Sequence, residues 1–206
     1  WYRSRGLGDV YKRQVYEQPQ TIKLVLIGPG QVGGEVLRQL QNIDFAWRLE
    51  FGLAIQLHQV INSQGSIEHY SPGQTASGQT KYINPKDLSF TPQSDGSPII
   101  IVDTTAAPEV AAHHIHWLEQ GAAVVTANKH GLTQAQSIFT RLHSNPNYAA
   151  STTVGAGLPF IDTLKQLRGE RQSSYTIDSI LSGSINYLLT QLEQGSSYPT
   201  ALTDAQ

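Results

Sequence analysis

The sequence of 206 residues contains no cysteine and no methionine. Without cysteine, the chain has no disulfide, no thiolate metal ligand and no cysteine nucleophile. Because methionine is missing even at position 1, we expect that the sequence does not begin at a natural translation start. Any chemistry of this chain must therefore come from backbone groups, carboxylates, amines, hydroxyls and imidazoles.

Charged residues and long apolar runs are also scarce. Charged residues make up 15% of the chain and the formal net charge is -2, which argues against a disordered tail, a nucleic-acid arm or a membrane-surface helix. No apolar run approaches the roughly 18 residues of a membrane span, and the first residues given lack the continuous apolar segment and the cleavage site of a secretory signal. We therefore expect a folded, cytoplasmic protein with a small-molecule ligand and with no nucleic-acid or membrane partner.

Residues 1–20 are predicted to lie outside the folded part of the chain. The stretch from Ser4 to Gln14 has neither helical nor strand periodicity, and it resembles the translated adapter peptide found at the ends of some assembled sequences. A basic disordered leader is the alternative interpretation. In either case this segment carries no information about the fold.

A glycine-rich turn follows the first predicted strand. Residues 21–27 form a short apolar run rich in β-branched side chains, typical of a parallel strand buried on both faces. Apolar residues at helical spacing begin at Val36, so the G-x-G-x-x-G motif between them connects a strand to a helix, as in dinucleotide-binding sites. The residues predicted to contact the cofactor pyrophosphate there are Gly28, Gly30, Gln31, Val32 and Gly33. An ordinary glycine-rich connection is the alternative.

The second predicted strand, from Leu49 to Leu57, bears on the choice of cofactor. A site selective for NAD usually has an acidic residue at the end of this strand, roughly 20 residues beyond the glycines. Residues 54–59 contain no carboxylate that would repel a 2′-phosphate, so NADP is favoured over NAD, although no arginine is present there either. The polar stretch that follows, residues 62–96, is expected to be irregular with at most one short helix.

Polar residues follow the next predicted strand, residues 98–103, at its carboxyl end. Thr104 and Thr105 precede a helix that is predicted to begin near Glu109 and to end before Gly121. Hydroxyls at the carboxyl end of a strand lie in the crevice where open α/β sheets bind ligands, so both threonines are candidates for cofactor contact. Capping of the following helix is the alternative.

Lys129 follows a further predicted strand, residues 122–126, at the same edge of the sheet. Its ammonium group would there be placed to contact a cofactor phosphate, the nicotinamide region or a substrate oxygen. A solvated surface charge is the alternative. Three histidines on the preceding helix lack a carboxylate or cysteine that would complete a ligand set, so no metal is expected there. They are His113, His114 and His116.

Three motifs, in this order along the chain, resemble signatures of homoserine dehydrogenases. They are VVTANK at residues 124–129, TVGAGLP at residues 153–159 and ILSGSINY at residues 180–187. Together with the glycine motif, the resemblance covers approximately residues 22–206. It implies a Rossmann-like, doubly wound parallel α/β domain over residues 21–150, followed over residues 151–206 by the beginning of an α+β substrate and dimerisation domain.

The resemblance also implies an activity and a set of site residues. Homoserine dehydrogenases interconvert L-aspartate 4-semialdehyde and L-homoserine with NAD(P), and Lys129 matches the family lysine at the junction of cofactor and substrate. The family binds a monovalent cation, sodium, through backbone carbonyls that correspond to Val154, Ala156 and Leu158; a tight crossover into the second domain is the alternative for this loop. A family carboxylate is replaced here by Ser151, which is expected to weaken cation binding. A homo-oligomer is expected for the full-length protein.

The end of the sequence departs from the family pattern. A helix is predicted to begin at Pro199 without a cap before Gln206, ahead of the stretch that carries the family's substrate-binding glutamate and its catalytic aspartate and lysine. We therefore expect a fragment that binds cofactor but has no turnover alone. Another Rossmann oxidoreductase of amino-acid metabolism and a non-catalytic dinucleotide-binding module are the alternatives.

Two elements of the second domain are predicted from their apolar patterns. Residues 175–181 alternate as a strand does, and an apolar stripe at helical spacing follows them. The stripe, which is expected to belong to the core, consists of Ile185, Leu188, Leu189 and Leu192.

Overall fold

A computed structural model describes residues 19–63, 65–68, 96–169, 176–180 and 182–205. The chain divides into two compact units, residues 1–150 and 151–206, which are described separately below. Nearly all of the predicted leader, and most of the polar stretch predicted to be irregular, lie outside the described residues.

The described residues of the first unit are built on a six-stranded sheet. Its strands are β1 Gln20–Ile27, β2 Leu53–Asn62, β3 Gly65–Glu68, β4 Ile99–Asp103, β5 Ala123–Thr126 and β6 Tyr148–Ala149. They lie in the order β3-β2-β1-β4-β5-β6, and every neighbouring pair is parallel except β2 with β3. The strand order reverses between β1 and β4, so the carboxyl ends of these two strands border the crevice where open α/β sheets bind ligands.

Helices connect the parallel strands of this sheet. They are α1 Gln31–Phe51 between β1 and β2, α2 Pro108–Ala111 and α3 His114–Glu119 between β4 and β5, and α4 Gln136–His143 before β6. This alternation of parallel strands and helices confirms the predicted Rossmann-like α/β fold. No helix among the described residues is long and apolar enough to cross a membrane, and the cytoplasmic location stays a prediction.

Alternate side chains of β1 enter two separate hydrophobic cores. Leu24 and Leu26 pack with Leu37 of α1 on one face, whereas Val25 packs in a cluster that contains Trp117 of α3 on the other. All five side chains are buried. The central strand is therefore covered on both faces, as its unbroken apolar run predicts.

The predicted bounds of the second strand are wrong at both ends. α1 continues to Phe51 and ends at Gly52, whose φ of 65° is left-handed, so the strand begins at Leu53 rather than Leu49. Because apolar residues lie on both sides of this helix end, hydrophobic periodicity does not show where the helix stops and the strand begins. The strand then extends to Asn62, and the first part of the stretch expected to be irregular forms β3, which pairs antiparallel with β2.

The helix predicted near Glu109 is in fact two short helices. α2 begins at Pro108, which suits the first turn of a helix because it has no N–H to satisfy. A break at Ala112 and His113 separates it from α3. Gly121 lies just beyond the end of α3 with φ +90°, as predicted for a residue that closes a helix.

The described residues of the second unit begin with a 3₁₀ turn and contain three helices. They are α5 Phe160–Gly169, α6 Gly183–Glu193 and α7 Tyr198–Asp204, and α6 packs against α7. The predicted strand is wrong for residues 176–180, which have no regular structure. A strand needs a hydrogen-bonded neighbour, and the described residues of this unit provide none.

The apolar stripe of α6 is also not core in the described part of this unit. Ile185 is 58% exposed and Leu189 is 60% exposed. The helix itself forms as predicted, and the Ser182 hydroxyl caps its start by accepting a bond from the Ile185 amide at 3.3 Å. The pattern thus identifies the helix and its apolar face, but not what covers that face.

Candidate functional site

Two glycines shape the turn between β1 and α1. Gly28 has φ +88°, and a Cβ there would lie 2.7 Å from the Thr105 methyl carbon. A Cβ on Gly33 would lie 2.3 Å from the Gly28 carbonyl oxygen and 2.6 Å from Thr104 Oγ1. Gly28 is thus needed for its left-handed backbone and Gly33 for the close approach of α1 to the turn.

Gly30 lies in different surroundings from these two glycines. It is the N-cap residue of α1, it is exposed, and a Cβ there would meet nothing within 4 Å. No side chain caps the helix, and the amides of its first turn, which include those of Gln31 and Val32, have no carbonyl partner within the helix. These amides and the positive end of the helix dipole make this helix end favourable for an anion such as a phosphate.

The two predicted threonines lie next to this turn, at the carboxyl end of β4. The Thr104 hydroxyl donates to the Gly28 carbonyl at 2.6 Å and so ties the turn to β4. The Thr105 hydroxyl donates to Asp103 Oδ1 at 2.7 Å. The helix-capping alternative is wrong, because the N-cap of α2 is Ala107, which has no side-chain cap bond.

A buried carboxylate, which the sequence analysis missed, lies beside these threonines. Asp103 is 0% exposed. Its Oδ1 accepts the Thr105 amide at 2.9 Å in addition to the Thr105 hydroxyl. Its Oδ2 accepts Asn128 Nδ2 at 3.0 Å and lies 2.8 Å from Nε2 of His114, which must carry a proton to donate to a carboxylate. Both oxygens of Asp103 are therefore fully hydrogen-bonded.

A histidine and a tyrosine extend this buried network. His114 is 0% exposed, and its Nδ1 lies 3.2 Å from the Tyr148 hydroxyl. Burial, together with the nearby Asp103 carboxylate, raises the pKa of Tyr148 above its ordinary value. His114, one of the three histidines considered above as metal ligands, is thus a buried structural residue. Among the described residues, no three His, Asp or Glu side chains are grouped as a metal site.

Lys129 begins a short 3₁₀ helix, Lys129–Leu132, three residues after the end of β5, and it is exposed. The preceding residue, Asn128, is 1% exposed and caps this helix through Oδ1, which accepts the His130 amide at 3.0 Å. The side-chain nitrogen of Asn128, Nδ2, also donates to the Ala107 carbonyl at 2.9 Å. The backbone at Lys129 is therefore fixed to the loop after β4.

The residues predicted as cation ligands form a turn in the second unit. Ala156 has a positive φ of 51°, and the Leu158 amide donates to the Gly155 carbonyl at 3.0 Å. Ser151, at the place of the family carboxylate, donates from Oγ to Oδ1 of Asp162 at 3.3 Å. A carboxylate is thus present next to this position, supplied by α5.

A parallel sheet with a glycine turn beside its switch point, and with an open helix N-terminus after that turn, defines a Rossmann-type dinucleotide-binding domain. Residues 28–152 match the family model described as the NAD binding domain of homoserine dehydrogenase. The chain therefore belongs to the homoserine dehydrogenase NAD-binding domain family.

Named relatives agree with this assignment. The chain is 28% identical over 200 residues to the chloroplastic bifunctional aspartokinase/homoserine dehydrogenase 2 of Arabidopsis thaliana. The aligned segment covers 90% of this chain and 22% of the relative. It is 29% identical over 191 residues to the homoserine dehydrogenase of Paracoccidioides brasiliensis, covering 82% of this chain and 50% of that protein. The chain thus spans about a fifth of the plant relative and half of the fungal one.

Solved structures share the fold. A hyperthermophilic archaeal homoserine dehydrogenase in complex with NADPH superposes with a TM-score of 0.67 at 20% identity, covering 90% of this chain and 60% of that one. A Candida auris protein of unknown function gives a TM-score of 0.69 at 21% identity, over 90% of this chain and 55% of that one.

Proposed function

We propose that this chain provides the cofactor-binding part of a homoserine dehydrogenase, which interconverts L-aspartate 4-semialdehyde and L-homoserine in threonine, methionine and isoleucine biosynthesis. The observation that carries this proposal is the open N-terminus of α1 at Gly30, held between two glycines that tolerate no side chain. These residues lie inside the range that matches the family model.

The residues of the glycine turn fit a dinucleotide pyrophosphate. Gly30 leaves room for the phosphates, and the amides of Gln31 and Val32 donate to them, while Gly28 and Gly33 fix the turn. Thr104 and Thr105 border the cofactor from β4. The nicotinamide, when bound, supplies or accepts the hydride.

NADP is the cofactor that we propose. β2 ends at Asn62, five residues beyond its predicted end, so the strand end to examine is Val60 to Asn62 rather than residues 54–59. This segment also has no carboxylate, and Asn62 Oδ1 accepts the Gly65 amide at 2.9 Å. Nothing in this segment would repel a 2′-phosphate, which supports NADP over NAD.

Lys129 is the catalytic residue that we propose in this chain. Lys129 is exposed and begins the 3₁₀ helix three residues after β5, beyond the carboxyl end of that strand. During aldehyde reduction, negative charge develops on the carbonyl oxygen of the substrate, and a fixed positive charge nearby lowers the energy of that state. The cap at Asn128 supports this role because it fixes the backbone from which the lysine side chain extends.

A sodium site is proposed in the second unit, at the carbonyls of Val154, Ala156 and Leu158. Oxygen ligands with a nearby negative charge suit a hard cation. The Asp162 carboxylate, bonded to Ser151, supports the site by supplying the charge that position 151 lacks. Homo-oligomerisation of the full-length protein stays a prediction.

The test of cofactor binding is a titration of the purified chain with NADPH and NADH, followed by nicotinamide fluorescence. Saturable binding, tighter for NADPH, is expected for the parent and is expected to be lost in Gly30→Glu, whose side chain would occupy the phosphate position. Gly34→Ala is the matched control, since a Cβ there also meets nothing within 4 Å. A folded parent chain that binds neither cofactor would contradict the proposal.

The substrate is tested separately from cofactor binding. Reduction of L-aspartate 4-semialdehyde with NADPH is measured for this chain and for a longer gene product that contains it. Turnover by the longer product supports homoserine dehydrogenase activity. Cofactor binding without turnover on this substrate would favour another oxidoreductase or a binding module.

A further inference from the structure

The buried carboxylate of Asp103 is not used by the proposed chemistry, and its position in β4 is unusual. The four residues before it in this strand are Ile99, Ile100, Ile101 and Val102, which contribute to the two hydrophobic cores. A carboxylate is expensive to bury unless hydrogen bonds replace its hydration, and an apolar residue would continue the strand without that cost. The four hydrogen bonds of Asp103 therefore point to a requirement beyond stability.

The two oxygens of Asp103 hold two different loops. Oδ1 accepts both the amide and the hydroxyl of Thr105, in the loop after β4. Oδ2 accepts Asn128 Nδ2, in the loop after β5. Asn128 Nδ2 also lies 3.1 Å from Thr105 Oγ1, so its two hydrogens are shared among Asp103 Oδ2, Thr105 Oγ1 and the Ala107 carbonyl, which links the two loops.

The same carboxylate is connected to the 3₁₀ helix that begins at Lys129. His114 joins Asp103 Oδ2 to the Tyr148 hydroxyl. A Cβ on Gly131, within that helix, would lie 2.6 Å from the Tyr148 hydroxyl and 2.9 Å from His114 Nδ1. The helix thus rests directly on the far end of the network, while Asn128 holds its start.

We propose that Asp103 is a positioning residue for the cofactor site, which fixes Lys129 relative to Thr104 and Thr105 without contacting the cofactor itself. This inference rests on the proposed function, because it assumes that these three residues border a bound dinucleotide. Asn128 is the partner that transmits the position of Asp103 to Lys129.

The substitution Asp103→Asn tests this role with almost no change in shape. An amide has one acceptor oxygen and one donor nitrogen. If its oxygen faces Thr105, its nitrogen opposes Asn128 Nδ2; if it is turned round, its nitrogen opposes the Thr105 amide. In either orientation one of the two loops loses its acceptor at position 103 and meets a donor. The loops then remain joined only by the weaker bonds of Asn128 to Thr105 Oγ1 and to the Ala107 carbonyl.

We expect NADPH binding by folded Asp103→Asn to weaken about tenfold, the size that follows from losing one hydrogen bond to a charged group. Asn128→Ala, a second variant in case the first does not fold, is expected to weaken binding to a similar extent. Both substitutions remove the same contact, between Asp103 and Asn128. The double variant is therefore expected to bind NADPH only slightly more weakly than either single variant.

Leu142→Ala is the control for a purely structural effect. Leu142 is completely buried in α4 and has no part in the network, so this variant is expected to lower the melting temperature and to leave the NADPH dissociation constant unchanged. If Asp103→Asn and Asn128→Ala behave in the same way, with lower melting temperature and parental NADPH affinity, Asp103 is structural only and the inference is wrong.

The parent chain separates this inference from the proposed function. Saturable NADPH binding that Gly30→Glu abolishes establishes the cofactor site. Unchanged affinity in Asp103→Asn would then overturn the positioning role alone. A folded parent chain that binds no NADPH would overturn the proposed function, and this inference with it.

Discussion

Side chains of the first unit's sheet are buried from both sides, whereas helices of the second unit leave large apolar side chains exposed. Val25, Ile101 and Val124, from three adjacent strands, are completely buried. In the second unit, Leu189 is 60% exposed and Ile180 is 76% exposed, and α5 and α6 have no buried residue among those described. Both hydrophobic clusters of the described residues belong to the first unit, although Phe45 and Phe51 of α1 and Val125 of β5 are exposed there as well.

The difference shows what a hydrophobic pattern can establish. A helix with an apolar stripe is stable in a protein when another surface covers that stripe. In the first unit the parallel sheet offers such a surface on each face, which α1 covers on one side and α3 on the other. The free energy of unfolding of the described structure should therefore depend mainly on residues of the first unit.

The largest expected effect comes from the same substitution made in each unit. Leu142→Ala removes a completely buried side chain and is expected to lower the free energy of unfolding by about 2–5 kcal/mol. Leu189→Ala removes a side chain that is 60% exposed, and its effect is expected to stay below about 0.5 kcal/mol. Urea denaturation followed by far-UV circular dichroism, which reports the helices of both units, measures both effects. Equal losses would show that α6 is as well packed as α4.

Alanine substitutions of two glycines in the first turn of α1 are expected to change stability by a smaller amount and in opposite directions. Gly33→Ala would bring a Cβ to 2.3 Å from the Gly28 carbonyl oxygen, and the crowded backbone is expected to lower stability by about 1–3 kcal/mol. Gly34→Ala meets no neighbour, and it is expected to raise stability by about 0.5–1 kcal/mol because alanine favours the helix. Thermal unfolding of the two variants measures the difference. Similar melting temperatures would contradict the close packing of α1 on the turn.

Local patterns predicted most of the sheet and the glycine turn. β1, β4 and β5 are short apolar runs, and the glycines between β1 and α1 have a spacing with a specific steric reason. The bounds of β2 were missed because the left-handed Gly52 interrupts an apolar segment that reads equally well as helix or strand. Pairing of β3 with β2 depends on contacts that periodicity does not encode.

The buried network was beyond sequence reasoning for a different reason. Asp103 had a weak local signal, since a carboxylate ends an otherwise apolar strand. His114, in contrast, was read only with its neighbours His113 and His116, whereas its partners in the fold are Asp103 and Tyr148. Tyr148 is 34 residues away in the sequence, so no spacing rule links the pair. Hydrogen bonds of this kind are recognised only after the strands have been placed.

Alkaline pH tests the buried network of the first unit against an exposed tyrosine. Burial, and next the charge of Asp103, raise the pKa of Tyr148 above the ordinary value of 10.0, so the folded state favours the neutral phenol. The stability that this contributes is fully present below pH 10.0 and is lost as the pH rises beyond it. Urea denaturation between about pH 9 and 11 is expected to show this loss in the parent and less of it in Tyr148→Phe. Tyr198→Phe, at a residue 56% exposed, should behave as the parent does.

The smallest expected effect lies on the exposed face of α1, where Glu35 bonds with Arg38 and Gln39. A hydrogen bond from Arg38, followed by one from Gln39, lowers the pKa of Glu35 from 4.5 to about 2. Because the folded-state pKa is lowered, the associated stability is present above pH 4.5 and is lost as the pH falls towards about 2. Solvent screens this pair, so the change in unfolding free energy is expected to be slight, and the pKa itself is the better observable.

An NMR titration of the Glu35 carboxyl group measures that pKa directly. Arg38→Ala is expected to return it most of the way to 4.5, and Gln39→Ala to raise it by less, because Arg38 is the larger cause. Neither variant should alter NADPH binding, since both residues lie beyond the first turn of α1 on its exposed side. If either variant weakens NADPH binding, the cofactor site extends further along α1 than the glycine turn. The exposed surface of α1 would then contribute to the site as the buried network does, and the contrast between them would no longer hold.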